Sequence, residues 1–152
     1  KATFFLIGKN AEQYPEIIAR MIDEGHSIGN HSFHHLSGWK SKNPEYFEDI
    51  EACASHVNSM LFRPPYGRIT RSQSTHLKNQ YRIVMWSDLS ADFEKGVSIE
   101  HCFHYATNRV KSGSIIVFHD SEKAWPRLEK ALPKCLKYYR NEGFRLAPVE
   151  IH

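Results

Sequence analysis

His31 and His35 stand four residues apart in the run His31-Ser32-Phe33-His34-His35. Neutral imidazole is the commonest protein ligand for a divalent metal, and this spacing turns two rings the same way if the segment makes one helical turn. A third ligand would complete such a site. A polar loop rich in histidine explains the same residues, and His34 is expected to face away from the pair. Arg63 precedes Pro64-Pro65-Tyr66-Gly67, where two prolines fix φ and remove donors. That turn offers a rigid backbone suited to an oxyanion donor and a charged, planar fork suited to a carboxylate. A turn with a surface arginine is the alternative. His119 ends the apolar run Ile115-Ile116-Val117-Phe118, where a partly desolvated imidazole could act as a general acid if a carboxylate oriented it, and Asp92 is the candidate. A hydrogen-bonded core histidine is the competing reading, and Asp120 reads as a cap for the next turn. Trp39, Trp86, Phe93 and Trp125 could stack on sugar faces or fill a core, and Trp39 is the least core-like of them.

The elements that must position these groups alternate. Ala2–Ile7 reads as a strand, and Gly8-Lys9-Asn10 turns into a helix marked by Tyr14, Ile17, Ile18, Met21 and Ile22, with Pro15 early and Gly25 as a stop. Ser27–Asn30 is a short strand that runs into the histidines. Asn43 as cap and Pro44 as first helical residue open a helix whose apolar positions continue through Phe47, Ile50, Ala54, Val57 and Leu61. A short strand then leads into the proline turn. Tyr81–Trp86 is a strand, Ser98–Val110 a helix, Ser114–Phe118 a buried strand, Pro126–Asn141 a helix interrupted or bent near Pro133, and Phe144–Ala147 a last strand. Alternation of this kind predicts an α/β fold with parallel strands, either a barrel or an open sheet. Function in both belongs at the C-terminal strand ends, where His31–His35, Arg63–Gly67, Ser87–Asp92 and His119-Asp120 all fall. Their common placement points to one site.

At 152 residues, the chain is expected to form one domain. Its 20 basic and 17 acidic residues leave a net charge of +3, too small and scattered for a nucleic-acid footprint. Cys53, Cys102 and Cys135 are an odd number at wide spacings, which indicates neither a disulfide framework nor a thiolate zinc site; they read as core residues. No apolar run approaches the roughly 20 residues that span a bilayer. The first strand begins without a preceding cap or turn, which predicts an incomplete N-terminus.

In content and order these motifs resemble the NodB-homology polysaccharide deacetylases, carbohydrate esterase family four. Lys1–Ile7 with Gly8-Lys9-Asn10 is similar to the family's second strand and turn, and Glu24-Gly25-His26 with Gly29-Asn30-His31-Ser32 and His35 to its metal motif. Arg63-Pro64-Pro65-Tyr66-Gly67 resembles its third motif and Ile116-Val117-Phe118-His119-Asp120 its last. The resemblance implies a distorted (β/α) barrel of about seven strands, six of them supplied here and the first missing. It implies hydrolysis of N-acetyl, or O-acetyl, groups on a polysaccharide or oligosaccharide with one divalent metal, zinc by family analogy. His31 and His35 would be metal ligands, Arg63 would orient the base, the Tyr66 N–H would bind the oxyanion, and His119 would be the general acid oriented by Asp92. Phe93, Val117 and Trp39 would contact substrate.

This sequence departs from the pattern in two ways. The family's Thr-Phe-Asp-Asp-Gly-Pro motif, source of the base and third ligand, has no match here. In addition, Phe93, Ser87 and Val117 stand where tryptophan, aspartate and leucine are usual. The first departure predicts an inactive fragment whose unpaired strand edge invites an edge-paired or strand-swapped dimer. It also keeps a second function open, a catalytically dead metal- or glycan-binding domain. A two-metal phosphoesterase would need more carboxylates than these motifs supply. The cell envelope is the location that family analogy suggests.

Overall fold

The computed structural model describes residues 1–150 and divides into two compact units. The first comprises Lys1–Met85 and the segment from Ala147, and the second Trp86–Leu146.

In the first unit the order is β1 (Thr3–Leu6), α1 (Gly8–Gln13), α2 (Pro15–Asp23), β2 (Ser27–Asn30), α3 (Asn43–Ala54), β3 (Leu61–Phe62), α4 (Arg71–Leu77) and β4 (Arg82–Ile83). The strands form one sheet in the order β1-β2-β3-β4, every pair parallel. Tyr46, Ile50, Phe62 and Leu77 make one buried cluster, and Ala11, Cys53 and Val57 another. Helix α2 stops as the sequence suggests. Gly25 takes φ +75°, its N–H donates to the Ile22 carbonyl, and the His26 N–H reaches back to Met21, a Schellman ending that only glycine adopts without strain.

Other elements differ from the sequence reading. Residues 8–10, read as a turn, open α1, which ends at Gln13 before α2 begins. Asn43 caps nothing, since its Oδ1 accepts from Gln73 Nε2 instead, at 3.1 Å. Helix α3 ends at Ala54 rather than continuing to Leu61: the Ser59 hydroxyl donates to the Ile28 carbonyl at 2.7 Å and accepts from the Leu61 N–H, which offers the backbone a local alternative to the helix. Helix α4 was not foreseen, although Thr70-Arg71-Ser72-Gln73 is a complete capping box with both reciprocal hydrogen bonds formed.

The second unit contains β5 (Asp88–Leu89), α5 (Ile99–Thr107), β6 (Ile116–Val117) and α6 (Trp125–Asn141). Strands β5 and β6 pair in parallel, Leu89 opposite Val117, and β5 is a strand the sequence reading lacked. The helices bury Ala106, Cys135 and Tyr139, with the Tyr139 hydroxyl donating to the Ala106 carbonyl at 2.6 Å. Helix α6 runs through Pro133 without interruption. The strand expected over 144–147 does not form. Gly143, at φ +78°, ends α6, and the Phe144 N–H bonds the Tyr139 carbonyl at 2.9 Å. Phe144 is thus the apolar residue of a second Schellman ending, packed on the helical cluster. All six described strands are parallel, as α/β alternation predicts. None of the described helices is long and apolar enough to cross a membrane.

Candidate active site

The candidate residues fall into two groups, one in each unit. In the first, the sheet register places Asn30 opposite Phe62, and the Arg63 N–H donates to the Asn30 carbonyl at 3.0 Å. His31 and Arg63 therefore leave adjacent strands at their C-terminal ends. The Arg63 carbonyl accepts from His31 Nδ1 at 2.6 Å, which assigns that nitrogen as the protonated one and turns Nε2 toward His35. The two Nε2 atoms lie 3.2 Å apart.

That convergence is not made by a helical turn. Residues 31–36 form an irregular loop in which Ser32 and His35 have φ of +59° and +61°, a left-handed conformation that costs roughly 1–2 kcal/mol per non-glycine residue. Three sets of contacts hold it. Asn30, buried, accepts from the Ser32 N–H at 2.9 Å, and the Ser32 hydroxyl accepts from the Leu36 N–H at 3.1 Å. The first N–H groups of α1 donate to the loop, Gly8 to Ser32 and Lys9 to Phe33, and a side chain at Gly8 would collide with Phe33. Asp49, nearly buried on α3, accepts from the Phe33 N–H, the His34 N–H and His34 Nδ1, the last at 2.6 Å. His34 thus points to Asp49 and not to the pair. Asp49 was missed in the sequence, although a carboxylate on the helix face shared by Tyr46, Ile50 and Cys53 is a signal that could have found it.

The pair suits a metal as far as it goes. Two imidazole donors on a tetrahedral zinc stand about 3.3 Å apart, given Zn–N distances of about 2.0–2.1 Å, close to the separation here. A histidine ligand also normally donates its other N–H to a carbonyl or carboxylate, as His31 does. Among the described residues no group of three His, Cys, Asp or Glu side chains completes such a centre.

Arg63 gives its donors to backbone carbonyls, Nε to Val84 at 3.1 Å and a terminal nitrogen to Met85 at 3.2 Å, and its guanidinium lies 4.1 Å from the Phe5 ring centre. Burial pushes its pKa down to about 10, so it stays charged at neutral pH. Tyr66 sits at φ +59° with its ring exposed and 4.6 Å, edge to face, from the ring of His35. Trp39 is exposed, its indole N–H bonded to the Ile69 carbonyl.

In the second unit the β5–β6 register brings Ser90–Phe93 alongside Val117–His119, and the Ser90 N–H donates to the Val117 carbonyl. Asp92 is fully buried. One carboxylate oxygen accepts the His119 backbone N–H at 2.7 Å and the other accepts from His119 Nδ1 at 2.8 Å. A buried carboxylate so engaged fixes the imidazole with Nδ1 protonated and directs Nε2 away from it. Phe93 meets the His119 ring edge to face at 4.8 Å, and Val117 is buried in β6. Arg127, also missed in the sequence, donates to the Asp92 carbonyl and to that of Lys123. Asp120 is exposed, and Ser121 makes the turn contact expected of it by accepting from the Ala124 N–H.

Comparison with known proteins places these motifs. A model of the polysaccharide deacetylase family matches residues 1–84. The chain is 37% identical over 128 residues to a peptidoglycan-N-acetylglucosamine deacetylase of Bacillus cereus, covering 80% of this chain and 46% of that protein. It is 34% identical over 128 residues to a chitooligosaccharide deacetylase of Azorhizobium caulinodans, covering 78% and 60%. It therefore spans about half the length of these relatives. The crystal structure of the Bc1960 peptidoglycan N-acetylglucosamine deacetylase superposes with a TM-score of 0.89 at 31% identity, over 97% of this chain and 72% of that one. A family match across more than half the chain, and a superposition that takes in both units' strands, leave one assignment: the chain belongs to the polysaccharide deacetylase family.

Proposed function

We propose that this chain provides most of the catalytic machinery of a metal-dependent hydrolase that removes acetyl groups from the amino sugars of a polysaccharide or oligosaccharide. The observation that carries the reading is the Asp92–His119 dyad, whose buried carboxylate engages both the backbone N–H and Nδ1 of the histidine. Deacetylation breaks the C–N bond of an acetamide, forms a new C–O bond from water, and releases acetate and a sugar amine. The amine is a poor leaving group until protonated. His119 Nε2 delivers that proton, and Asp92, held at Nδ1, keeps the tautomer and offsets the imidazolium charge.

His31 and His35 would hold the cation. When bound, it would polarise the acyl carbonyl and lower the pKa of water toward about 7; imidazole donors suit zinc, as they suit copper, iron or nickel. The Tyr66 N–H, fixed in a rigid left-handed turn, receives the oxyanion as the carbonyl carbon becomes tetrahedral. Arg63 keeps a positive charge beside this turn and, with a base carboxylate present, orients it. Phe93 and Val117 shape the acetyl pocket, and Trp39 takes a sugar face. O-acetyl esters would follow the same course with an alcohol leaving group, which demands less of His119.

His119→Ala and Asp92→Asn test the dyad. In the protein that carries this chain, each should lower kcat on an N-acetylated oligosaccharide by roughly 10²–10⁴ while leaving substrate Kd within a few-fold. A kcat within threefold of the parent in both variants would remove the acid role.

A further inference from the structure

Beside His35 lies a row of side chains, Tyr66, Arg68 and Trp39, of which the deacetylation chemistry uses only the Trp39 ring. The His35 ring touches Tyr66. The Arg68 guanidinium carbon stands 6.0 Å from the centre of the Tyr66 ring and 5.4 Å from that of Trp39. Both rings are open to water, Trp39 at 65% and Tyr66 at 62%. Leaving an indole exposed forgoes roughly 2–3 kcal/mol of burial, and a solvent-facing tryptophan is usually mobile.

This one is fixed from beneath. Its indole N–H is bonded to Ile69, and the Gly38 N–H donates to the Arg68 carbonyl at 3.1 Å. Gln73, fully buried, donates to the Gly38 carbonyl and accepts from the Thr70 N–H. A Cβ at Gly38 would come within 2.7 Å of the Arg68 carbonyl, so the two loops need glycine to approach. The segment bearing Trp39 and the segment bearing Tyr66 and Arg68 are thus locked as one platform. A ring such as Trp39, with one edge tied and a face open, is built for stacking.

Its charge indicates what stacks there. None of the ion pairs among the described residues involves Arg68. Residues 31–44 contain no Asp or Glu, and neither do residues 52–87, which carry Arg63, Arg68, Arg71, Lys78 and Arg82. A guanidinium between two aromatic planes, on segments that carry no carboxylate of their own, favours an anionic ligand over a neutral one. Resting on the deacetylase reading, we propose that Trp39, Arg68 and Tyr66 form a subsite for a sugar bearing a carboxylate, adjoining the sugar that loses its acetyl group. The aromatic faces bind the pyranose and the Arg68 guanidinium binds the carboxylate.

The test compares a peptide-free N-acetylated tetrasaccharide whose alternate sugars carry a lactyl carboxylate with the same tetrasaccharide after conversion of the carboxylates to amides. The parent should prefer the acid in kcat/KM, through KM. Arg68→Gln should reduce that acid-to-amide ratio by about tenfold, the scale of one partly exposed charge-assisted contact, and Arg68→Lys should recover part of it. Trp39→Ala should weaken binding of both sugars alike. Calorimetric Kd values for the same pair are read alongside, independently of turnover. If acetate release fails but binding keeps an Arg68-dependent acid preference, the subsite stands and the hydrolase reading falls. An acid-to-amide ratio unaltered by Arg68→Gln, in both turnover and Kd, overturns the subsite.

Discussion

His31 and His35 show how far residue types at a fixed spacing carry, and where they stop. Their convergence could be read from the sequence, but its cause could not. The spacing suggested a helical turn, whereas the loop reaches the same end through left-handed backbone at Ser32 and His35. Such a conformation persists only where its surroundings over-determine it. Here those surroundings are Asn30, the start of α1 and Asp49. All but Asn30 lie outside the motif, Asp49 on a different helix, and local periodicity cannot report contacts of that range. The partnership of Asp92 with His119 was foreseen from the need of an acid for an orienting carboxylate, whereas the β5–β6 pairing that brings the two together was not. Asp49 carries a prediction at this scale. Asp49→Asn replaces one acceptor oxygen with a donor that faces N–H groups, so it should cost about 1–3 kcal/mol of unfolding free energy in urea. It should also weaken zinc binding by calorimetry, because the loop that carries His31 and His35 loses one of the supports of its left-handed backbone. Unaltered zinc affinity would show that the loop holds its shape without the carboxylate.

At the scale of elements, the strands β1 and β2 and the helices α2, α5 and α6 were legible because apolar spacing and glycine stops agree there. Three errors have one physical origin. Asn43, the 55–61 segment and Phe144 each carry a group that a distant partner claims: Gln73, the Ile28 carbonyl and the α5–α6 cluster. Helix α4 is a different case, since its capping box was present in the sequence and only went unread. The helices also bury thiols. Cys53 on α3 and Cys135 on α6 are fully enclosed, and burial pushes both thiols up to about 11. The unfolded thiols titrate near 9, so between about pH 9 and 11 the folded chain holds more protons than the unfolded one. The stability from these thiols is complete below pH 9 and is lost as pH rises through 11. Urea midpoints should therefore fall steadily from pH 8 to 10.5, and Cys53→Ala should flatten the slope. An unchanged slope in that variant would mean that other groups govern alkaline unfolding.

For the whole molecule, strand–helix alternation was enough to give an α/β fold with parallel strands, and the ordered motifs were enough to give the family. The choice of glycan was not legible, because it depends on exposed side chains such as Trp39 and Arg68 whose placement is set by Gly38 and Gln73 beneath them. The central claim is hydrolysis of an acetamide in which His31 and His35 hold a cation and His119 supplies a proton. It is tested most directly by proton NMR of acetate release from a fully N-acetylated oligosaccharide, using the protein that carries this chain. The account predicts acetate in step with new sugar amine, loss of release on chelation, return with zinc, and release in His31→Ala at least about 100-fold slower than the parent at saturating zinc. Chelation-resistant release, or release from His31→Ala at the parental rate, would contradict it.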